Sequence, residues 1–363
     1  MSTIVQQSPD FAPGSKLVFR FWKASSWKNT VLTVQKRMAS GGQADVYVVT
    51  DDIGRPWCMK YLYGNYATNK SKFYNKIKLM AKYPSPSPQL AWPIAFSPIT
   101  SSTGAFYYLM PLFEGYSEVS RIISWLKRYN GQSGVNPNSP DFQPMKDFRD
   151  PNTPAGMSLV QRAEVVAGIS DAVGSIHDDH NASYVYGDIS GKNFLYKVLP
   201  DGHVDVKTID MDNLLPAGSN ASHPSGFNLG LIGTGQYPAP EIILGNSVPT
   251  LHSDLHALAV LAFRIFLGAH PLDGALTHSM ELTPENIRRF YGNEPEFIIT
   301  SHRNCASAAV QKGWNYLPQA TQLYFKFMFS PEMLHSGIIK PGAKESRLTA
   351  ATLRQCLRKD FGI

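Results

Sequence analysis

The chain has 363 residues, of which 43% are hydrophobic and 12% aromatic, with a net charge of +6 and a pI near 9.0. This length and composition allow a large buried core and exclude global disorder. The longest apolar run, 257–269, contains Arg264 and is too short to cross a bilayer, and residues 1–16 lack the basic and apolar parts of a signal peptide. We therefore expect a cytoplasmic protein without membrane contact.

The cysteines and the positive charge exclude further classes. Cys58, Cys305 and Cys356 form neither a paired framework nor a close-spaced metal motif, which fits a reducing compartment. No lysine-rich tail or zinc-finger spacing accompanies the charge, so we expect no nucleic-acid partner. The stretch 53–113 holds no Asp or Glu, whereas 55–82 is rich in Lys and Arg. This basic segment is either a solvated helix face, a surface for an acidic partner or an aid in holding phosphates.

The first third of the chain predicts a small sheet and one helix. Residues 17–21 and 46–49 are rich in β-forming side chains, and glycines mark turns near them. Residues 70–83 have apolar side chains at helical spacing and end at a proline-rich run. A strand over 106–110 then leads to Pro111.

The remainder predicts mostly helices. We expect helices over 119–128, 159–178 and 254–267, with further ones after Pro284 and Pro318, and surface loops over 129–157 and 216–226. The predicted fold class is α+β. A small β-rich lobe with one helix would comprise residues 1–112, and a larger α-helical lobe residues 113–363, joined near 111–115.

Three polar clusters follow the predicted helix 159–178. Asp188 and Asn193 come first, and a predicted hairpin of strands 194–196 and 204–209 then leads to Asp210. Two carboxylates and an amide near one another would suit a hard cation such as Mg²⁺. The third cluster is the segment Gly-Thr-Gly-Gln-Tyr-Pro-Ala-Pro-Glu at 233–241.

In this order the clusters resemble the catalytic loop, metal-binding segment and substrate-platform segment of protein kinases. The segment 233–241 matches the pattern G-T-x-x-Y-x-A-P-E at every specified position, and the resemblance spans roughly residues 35–356. It implies a bilobal, protein kinase-like fold of a divergent Ser/Thr kinase, a group that includes eukaryotic-like kinases of bacteria. The implied reaction is in-line transfer of the γ-phosphoryl of ATP, with Mg²⁺ or Mn²⁺, to Ser or Thr of a protein substrate.

The resemblance assigns roles in the catalytic loop. Asp188 would orient the attacking hydroxyl and accept its proton, and Asn193 and Asp210 would bind the metal ion. Lys192 either reaches the γ-phosphate or is an exposed loop lysine.

The resemblance also assigns a nucleotide site. Lys60 would neutralise the α- and β-phosphates. Pro111 would offer a carbonyl to adenine and Phe113 an amide, since Pro111 lacks an N–H. The other residues implied to contact the nucleotide are Gly41, Gly42, Val46, Cys58, Met110 and Leu195.

A substrate platform is implied further along the chain. Thr234 would contact the catalytic Asp188, Glu241 would pair with Arg347, and Asp254 would hold the backbone of the catalytic loop.

Several positions depart from the kinase pattern. The helical glutamate that normally pairs with the strand lysine is absent, so Lys60 would pair with Asp210 or with the phosphates. Tyr186 and Gly187 replace the usual His-Arg, and Met211 follows the metal-binding Asp in place of Phe. Two alternatives therefore stand beside an active kinase: a nucleotide-binding pseudokinase that acts as a scaffold, and a small-molecule phosphotransferase.

Overall fold

The computed structural model folds as two compact units, Met1–Gly115 with Ile209–Asp212, and Tyr116–Thr208 with Asn213–Ile363. Residues 209–212 group with the first unit, where Asp210 pairs with Lys60. The structure describes residues 11–40, 44–62, 70–98, 106–127, 147–148, 157–178, 183–211, 214–217, 237–281, 283–339 and 347–363.

The first unit is built on six antiparallel strands: β1 Lys16–Lys23, β2 Ser26–Ser40, β3 Ala44–Thr50, β4 Pro56–Leu62, β5 Ala95–Phe96 and β6 Phe106–Met110. They close into a barrel in the order β1-β2-β3-β4-β6-β5. Its apolar core includes Phe19, Tyr47, Met59 and Leu109, which are buried completely. Closure depends on β1, because Arg20 and Phe21 of this strand pair with Phe96 and Ala95 of β5.

One helix, α1 (Lys70–Met80), packs on this barrel. Its apolar side chains Phe73, Ile77 and Met80 are buried, as their helical spacing predicts. The ring of Phe73 lies 5.9 Å from that of Phe106, which fixes the helix against β6. The helix has no acidic residue in its first turn.

The second unit is organised around two long helices, α3 (Leu159–His177) and α5 (Leu251–Leu267). Ser158 and Gln161 form a capping box that starts α3, and Thr250 and Ser253 form one that starts α5. Every residue of α5 from Ser253 to Leu267 is buried. The apolar run 257–269 is therefore explained by a helix in the protein core, and among the described residues no helix has the length and apolarity that a membrane span needs.

Shorter elements complete the second unit. Strands β11 (Phe194–Val198) and β12 (Val204–Thr208) form the predicted hairpin, with Phe194 opposite Thr208. Strand β7 (Ser117–Glu118) pairs with β11. The predicted loop 129–157 contains a short strand, β8 (Asp147–Phe148), which pairs with β9 (Met157–Ser158). Most of both predicted loops lies outside the described residues. The remaining elements are α2 Ser120–Lys127, β10 Tyr184–Val185, β13 Leu215–Pro216, α4 Pro240–Ile243, α6 Ala275–His278, α7 Pro284–Ile287, a π-helix Arg288–Asn293, α8 Ala308–Tyr316, α9 Gln319–Met328, α10 Pro331–Ile339 and α11 Ala350–Phe361.

Candidate active site

One face of the sheet in the first unit gathers several predicted nucleotide contacts. In one cross-strand row Lys60 is paired with Val46 and Tyr108, and in the next row Cys58 is paired with Val48 and Met110. Directly paired residues project from the same face of a sheet. The intervening Tyr47, Met59 and Leu109 point into the barrel core. The face therefore presents apolar side chains with a lysine at one end.

The other predicted nucleotide contacts lie outside these two cross-strand rows. Pro111 and Phe113 follow β6 and are half-buried, and Leu195 is half-buried on β11 in the second unit. Gly41 and Gly42 lie outside the described residues.

Lys60 and Asp210, which are 150 positions apart in sequence, form an ion pair. Lys60 Nζ donates to Asp210 Oδ1 at 2.9 Å, and the two side chains are 12% and 34% exposed. Asp210 has a φ of 61°, a left-handed conformation that Asp tolerates better than most residues. Such a conformation costs on the order of 1–3 kcal/mol and persists only where surrounding contacts hold it. Helix α1 has no acidic residue that could pair with Lys60, so Asp210 supplies the carboxylate instead.

Cys58 is a buried thiol on the same sheet face. Burial raises its pKa to about 12, with Lys60 opposing and Asp210 adding to the rise. The ordinary value is 9.0, so the contribution of the neutral thiol to the free energy of unfolding is complete below pH 9.0 and is lost as the pH rises toward 12.

We expect Cys58 to resist iodoacetamide at pH 8 in the folded protein, because the thiolate is the reactive species. Cys305 is exposed and serves as the internal control. Peptide mass spectrometry after timed quenching would give both rates, with a sample unfolded in urea as the reference. Alkylation of Cys58 as fast as that of Cys305 would contradict the assigned burial.

The predicted catalytic loop lies between β10 and β11. Asp188 is exposed, whereas Asn193 is buried and donates from Nδ2 to the carbonyl of Asp188 at 2.8 Å. This bond fixes the amide and leaves its Oδ1 as an acceptor. Gly191 allows close packing, because a Cβ there would lie 3.0 Å from the backbone nitrogen of Ser120. Lys192 is exposed.

Asp254, near the start of α5, binds the backbone that leads into this loop. Its Oδ2 accepts from the amide of Tyr186 at 2.6 Å, and its Oδ1 accepts from the amide of Gly187 at 2.9 Å. His177 Nε2 lies 3.1 Å from Oδ2. The carboxylate is 2% exposed, so these partners offset the cost of burying its charge. The central helix thereby positions Asp188, which follows Gly187 directly.

Glu241 and Arg347 form a buried ion pair 106 residues apart in sequence. Arg347 donates from Nη1 and Nη2 to the two carboxylate oxygens, at 2.7 and 2.9 Å. The side chains are 4% and 0% exposed. Arg347 also donates to the carbonyl of His252 at 3.0 Å, which ties α4 to the start of α5. Thr234 lies outside the described residues.

Comparison with solved structures gives the fold. The structure is similar to the ROP18 kinase domain solved in complex with AMP-PNP and sucrose, with a TM-score of 0.56. The match covers 97% of this chain and 85% of that chain at 16% sequence identity. The chain has a protein kinase-like fold. No protein-family model and no curated protein matches the sequence.

In all, 1702 solved chains match this structure, and a fold alone leaves the substrate open. The site residues carry the functional argument instead. The structure brings together Lys60 with Asp210, Asn193 with the backbone of Asp188, and Glu241 with Arg347.

Sequence reasoning missed two side chains next to these groups. His177 contacts Asp254 but belongs to no motif, and only its place in the last turn of α3 could have suggested it. Val48 shares the sheet face of Val46 and Cys58, and the period of two along β3 was a usable signal.

Proposed function

We propose that the protein is an ATP-dependent protein kinase that transfers the γ-phosphoryl of MgATP to Ser or Thr hydroxyls of a protein substrate. The observation that carries this proposal is the Lys60–Asp210 pair on the sheet face of the first unit. In this pair, the cation that would bind phosphate lies beside the carboxylate that would bind the metal ion. We also propose that the two units, whose main boundary lies between Gly115 and Tyr116, are the small and large lobes of a bilobal kinase.

The residues on this face fit a nucleotide. Val46, Val48 and Met110 offer apolar contacts for a base, and Lys60 offers an ammonium for phosphate oxygens. The similar ROP18 kinase domain was solved with the nucleotide analogue AMP-PNP, which supports the same class of ligand here.

The donor set also fits Mg²⁺, which prefers hard oxygen ligands and is held by one or two carboxylates together with phosphates. Asp210 would supply a carboxylate oxygen and Asn193 its Oδ1, since its Nδ2 is already donated. Within the described residues no group of three or more His, Cys, Asp or Glu gathers as a self-sufficient metal site, which suits a metal that arrives with the nucleotide. When bound, MgATP would supply the phosphoryl group and the charge neutralisation of its oxygens.

The remaining steps belong to the chain's own side chains. Asp188, which is exposed, would accept the proton of the attacking hydroxyl. Asp254 would hold that loop through the amides of Tyr186 and Gly187. Positioning of this kind accounts for much of the rate in phosphoryl transfer. Thr234 and Glu241 would belong to the platform that receives the peptide.

A pseudokinase scaffold is the second candidate. Two observations favour it. Helix α1 carries no acidic residue, and Lys60 already occupies Oδ1 of Asp210, the carboxylate proposed to bind the metal. A small-molecule phosphotransferase ranks third, because that class generally lacks the Ala-Pro-Glu segment found at 239–241.

The deciding experiment measures transfer of labelled γ-phosphate from MgATP to the protein itself and to a generic basic protein. We expect label with wild type and none with Asp210→Ala, because the variant loses the carboxylate proposed to bind Mg²⁺. Asp178→Ala, at an exposed aspartate after α3, is the matched control.

The other possible outcomes distinguish the remaining candidate functions. Bound MgATP without transfer would favour the scaffold, and no binding of MgATP would overturn the nucleotide site. Label found only in added small-molecule alcohols or aminoglycosides would favour the third candidate. Transfer retained by Asp210→Ala would refute the metal assignment.

A further inference from the structure

The second unit contains a cavity of about 410 Å³ that includes none of the residues proposed for phosphoryl transfer. It lies where the end of α2 meets the end of α5, α6 and the start of α8. Much of its wall is apolar, including Ala269, Ile298 and Val310, and Lys127 and Asp273 are its charged residues alongside His278. Its volume falls within the ~300–1,000 Å³ that is common for small-molecule sites.

The wall of the cavity is fixed by close backbone packing. Gly268 caps α5 with a φ of 66°, and a Cβ there would lie 2.5 Å from the Cβ of Leu126. A Cβ on Gly274 would lie 2.4 Å from the carbonyl oxygen of Asn304. Asn304 is itself buried and donates from Nδ2 to the carbonyl of Leu272 at 2.9 Å. The cavity is therefore formed in advance of any ligand.

The charges around the cavity are unbalanced. In the described part of the chain, no carboxylate lies within ion-pair distance of Lys127 or Arg264, and the guanidinium of Arg264 lies over the ring of Tyr237, 4.6 Å from its centroid. Burial lowers the pKa of Lys127, and the positive charge of Arg264 lowers it further, against the influence of Asp273. Lys127 therefore lies near one carboxylate, that of Asp273, without forming an ion pair with it.

Asp273 already has two polar contacts of its own. It accepts from Thr277 Oγ1 at 2.7 Å and lies 3.4 Å from His278 Nδ1. A half-buried ammonium without an ion pair is costly, and an incoming anion would offset that cost. A multiply charged anion would be repelled by Asp273, which favours a single negative charge. A peptide would bring amide groups that the apolar wall cannot pair.

We propose that this cavity binds a small organic monocarboxylate, with its carboxylate at Lys127 and its apolar body against Ala269, Ile298 and Val310. The site is separate from the proposed phosphoryl-transfer residues and would stand if that function were refuted.

Cys305 provides a reporter, because it is exposed and lines the cavity. Cys58 is buried, and burial raises the pKa of Cys356, so both thiols should react slowly. The substitution Cys356→Ser removes the remaining competitor and leaves Cys305 as the readily modified thiol. The rate of Cys305 modification by a maleimide is measured against increasing 4-phenylbutyrate, and the neutral 4-phenyl-1-butanol is the matched probe. We expect phenylbutyrate to slow the reaction saturably and the alcohol to need a concentration about tenfold higher.

Lys127 is tested with two variants in the same background. Lys127→Met, which keeps most of the apolar stem, should raise the half-saturating concentration of phenylbutyrate about tenfold, whereas Lys127→Arg should leave it within about threefold. Protection by the alcohol as strong as by the acid, full protection in Lys127→Met, or no protection by the acid would each overturn the proposal. If Lys127→Met fails to fold, the comparison of the two probes on Lys127→Arg decides.

Discussion

Asp188→Ala should reduce phosphoryl transfer by about 10²–10⁴-fold, the range typical of a lost general base. The structure explains why the loss should be confined to the chemistry. Asn193 is held by the backbone carbonyl of Asp188, which alanine retains, and Asp254 holds the amides of the two preceding residues. The loop should therefore keep its shape, and affinity for nucleotide should change by less than about twofold.

Initial rates at saturating MgATP, with nucleotide affinity measured separately, would test this expectation. Asp188→Asn adds a stricter comparison, because it keeps the size of the side chain and removes only the charge. Asp178→Ala should leave the rate unchanged. Transfer by Asp188→Ala at the wild-type rate would show that the assigned catalytic loop is wrong.

Local elements of the fold were predictable because their signals are local. The strand over 106–110 agrees with β6 at both ends. The helix predicted over 159–178 ends one residue earlier, at His177, and its start is set by the capping side chains Ser158 and Gln161. Patterns that lie within a few residues of sequence suffice for such elements.

Closure of the barrel could not be predicted in the same way. It depends on pairing between β1 and β5, elements that are more than seventy positions apart, and no local pattern encodes that register. The hairpin of β1 and β2 also turns through Ala24 and Ser25 with φ of 49° and 59°, at positions where Gly or Asn is usual. Composition therefore gave no turn signal there.

Local patterns likewise predicted only part of the candidate site. Motif spacing predicted Asp188, Asn193 and Asp210, and the absence of acidic residues over 53–113 left Asp210 as one of two partners for Lys60. Selecting between them required the contact itself, at 2.9 Å. The cavity beside Lys127 had no signal, because its wall is assembled from segments that are far apart in sequence.

Arg347→Met should lower the free energy of unfolding by about 3–5 kcal/mol, the cost of leaving the buried Glu241 carboxylate without its partner. Both side chains are almost completely buried, so water cannot replace the lost guanidinium. Glu241→Leu should cost a similar amount by stranding Arg347. We expect the double variant to be more stable than either single variant, because it leaves neither charge unpaired.

Urea unfolding of the four proteins would measure the coupling between the two residues. Arg289→Met is the matched control, since Arg289 and Glu294 form a pair at 3.3 Å with both side chains about half exposed. Its loss should change the free energy of unfolding by less than about 1 kcal/mol. Additive single-variant effects would contradict a direct Glu241–Arg347 interaction. A double variant that regains stability but not phosphoryl transfer would instead show that this pair shapes the peptide platform as well as stabilising the second unit.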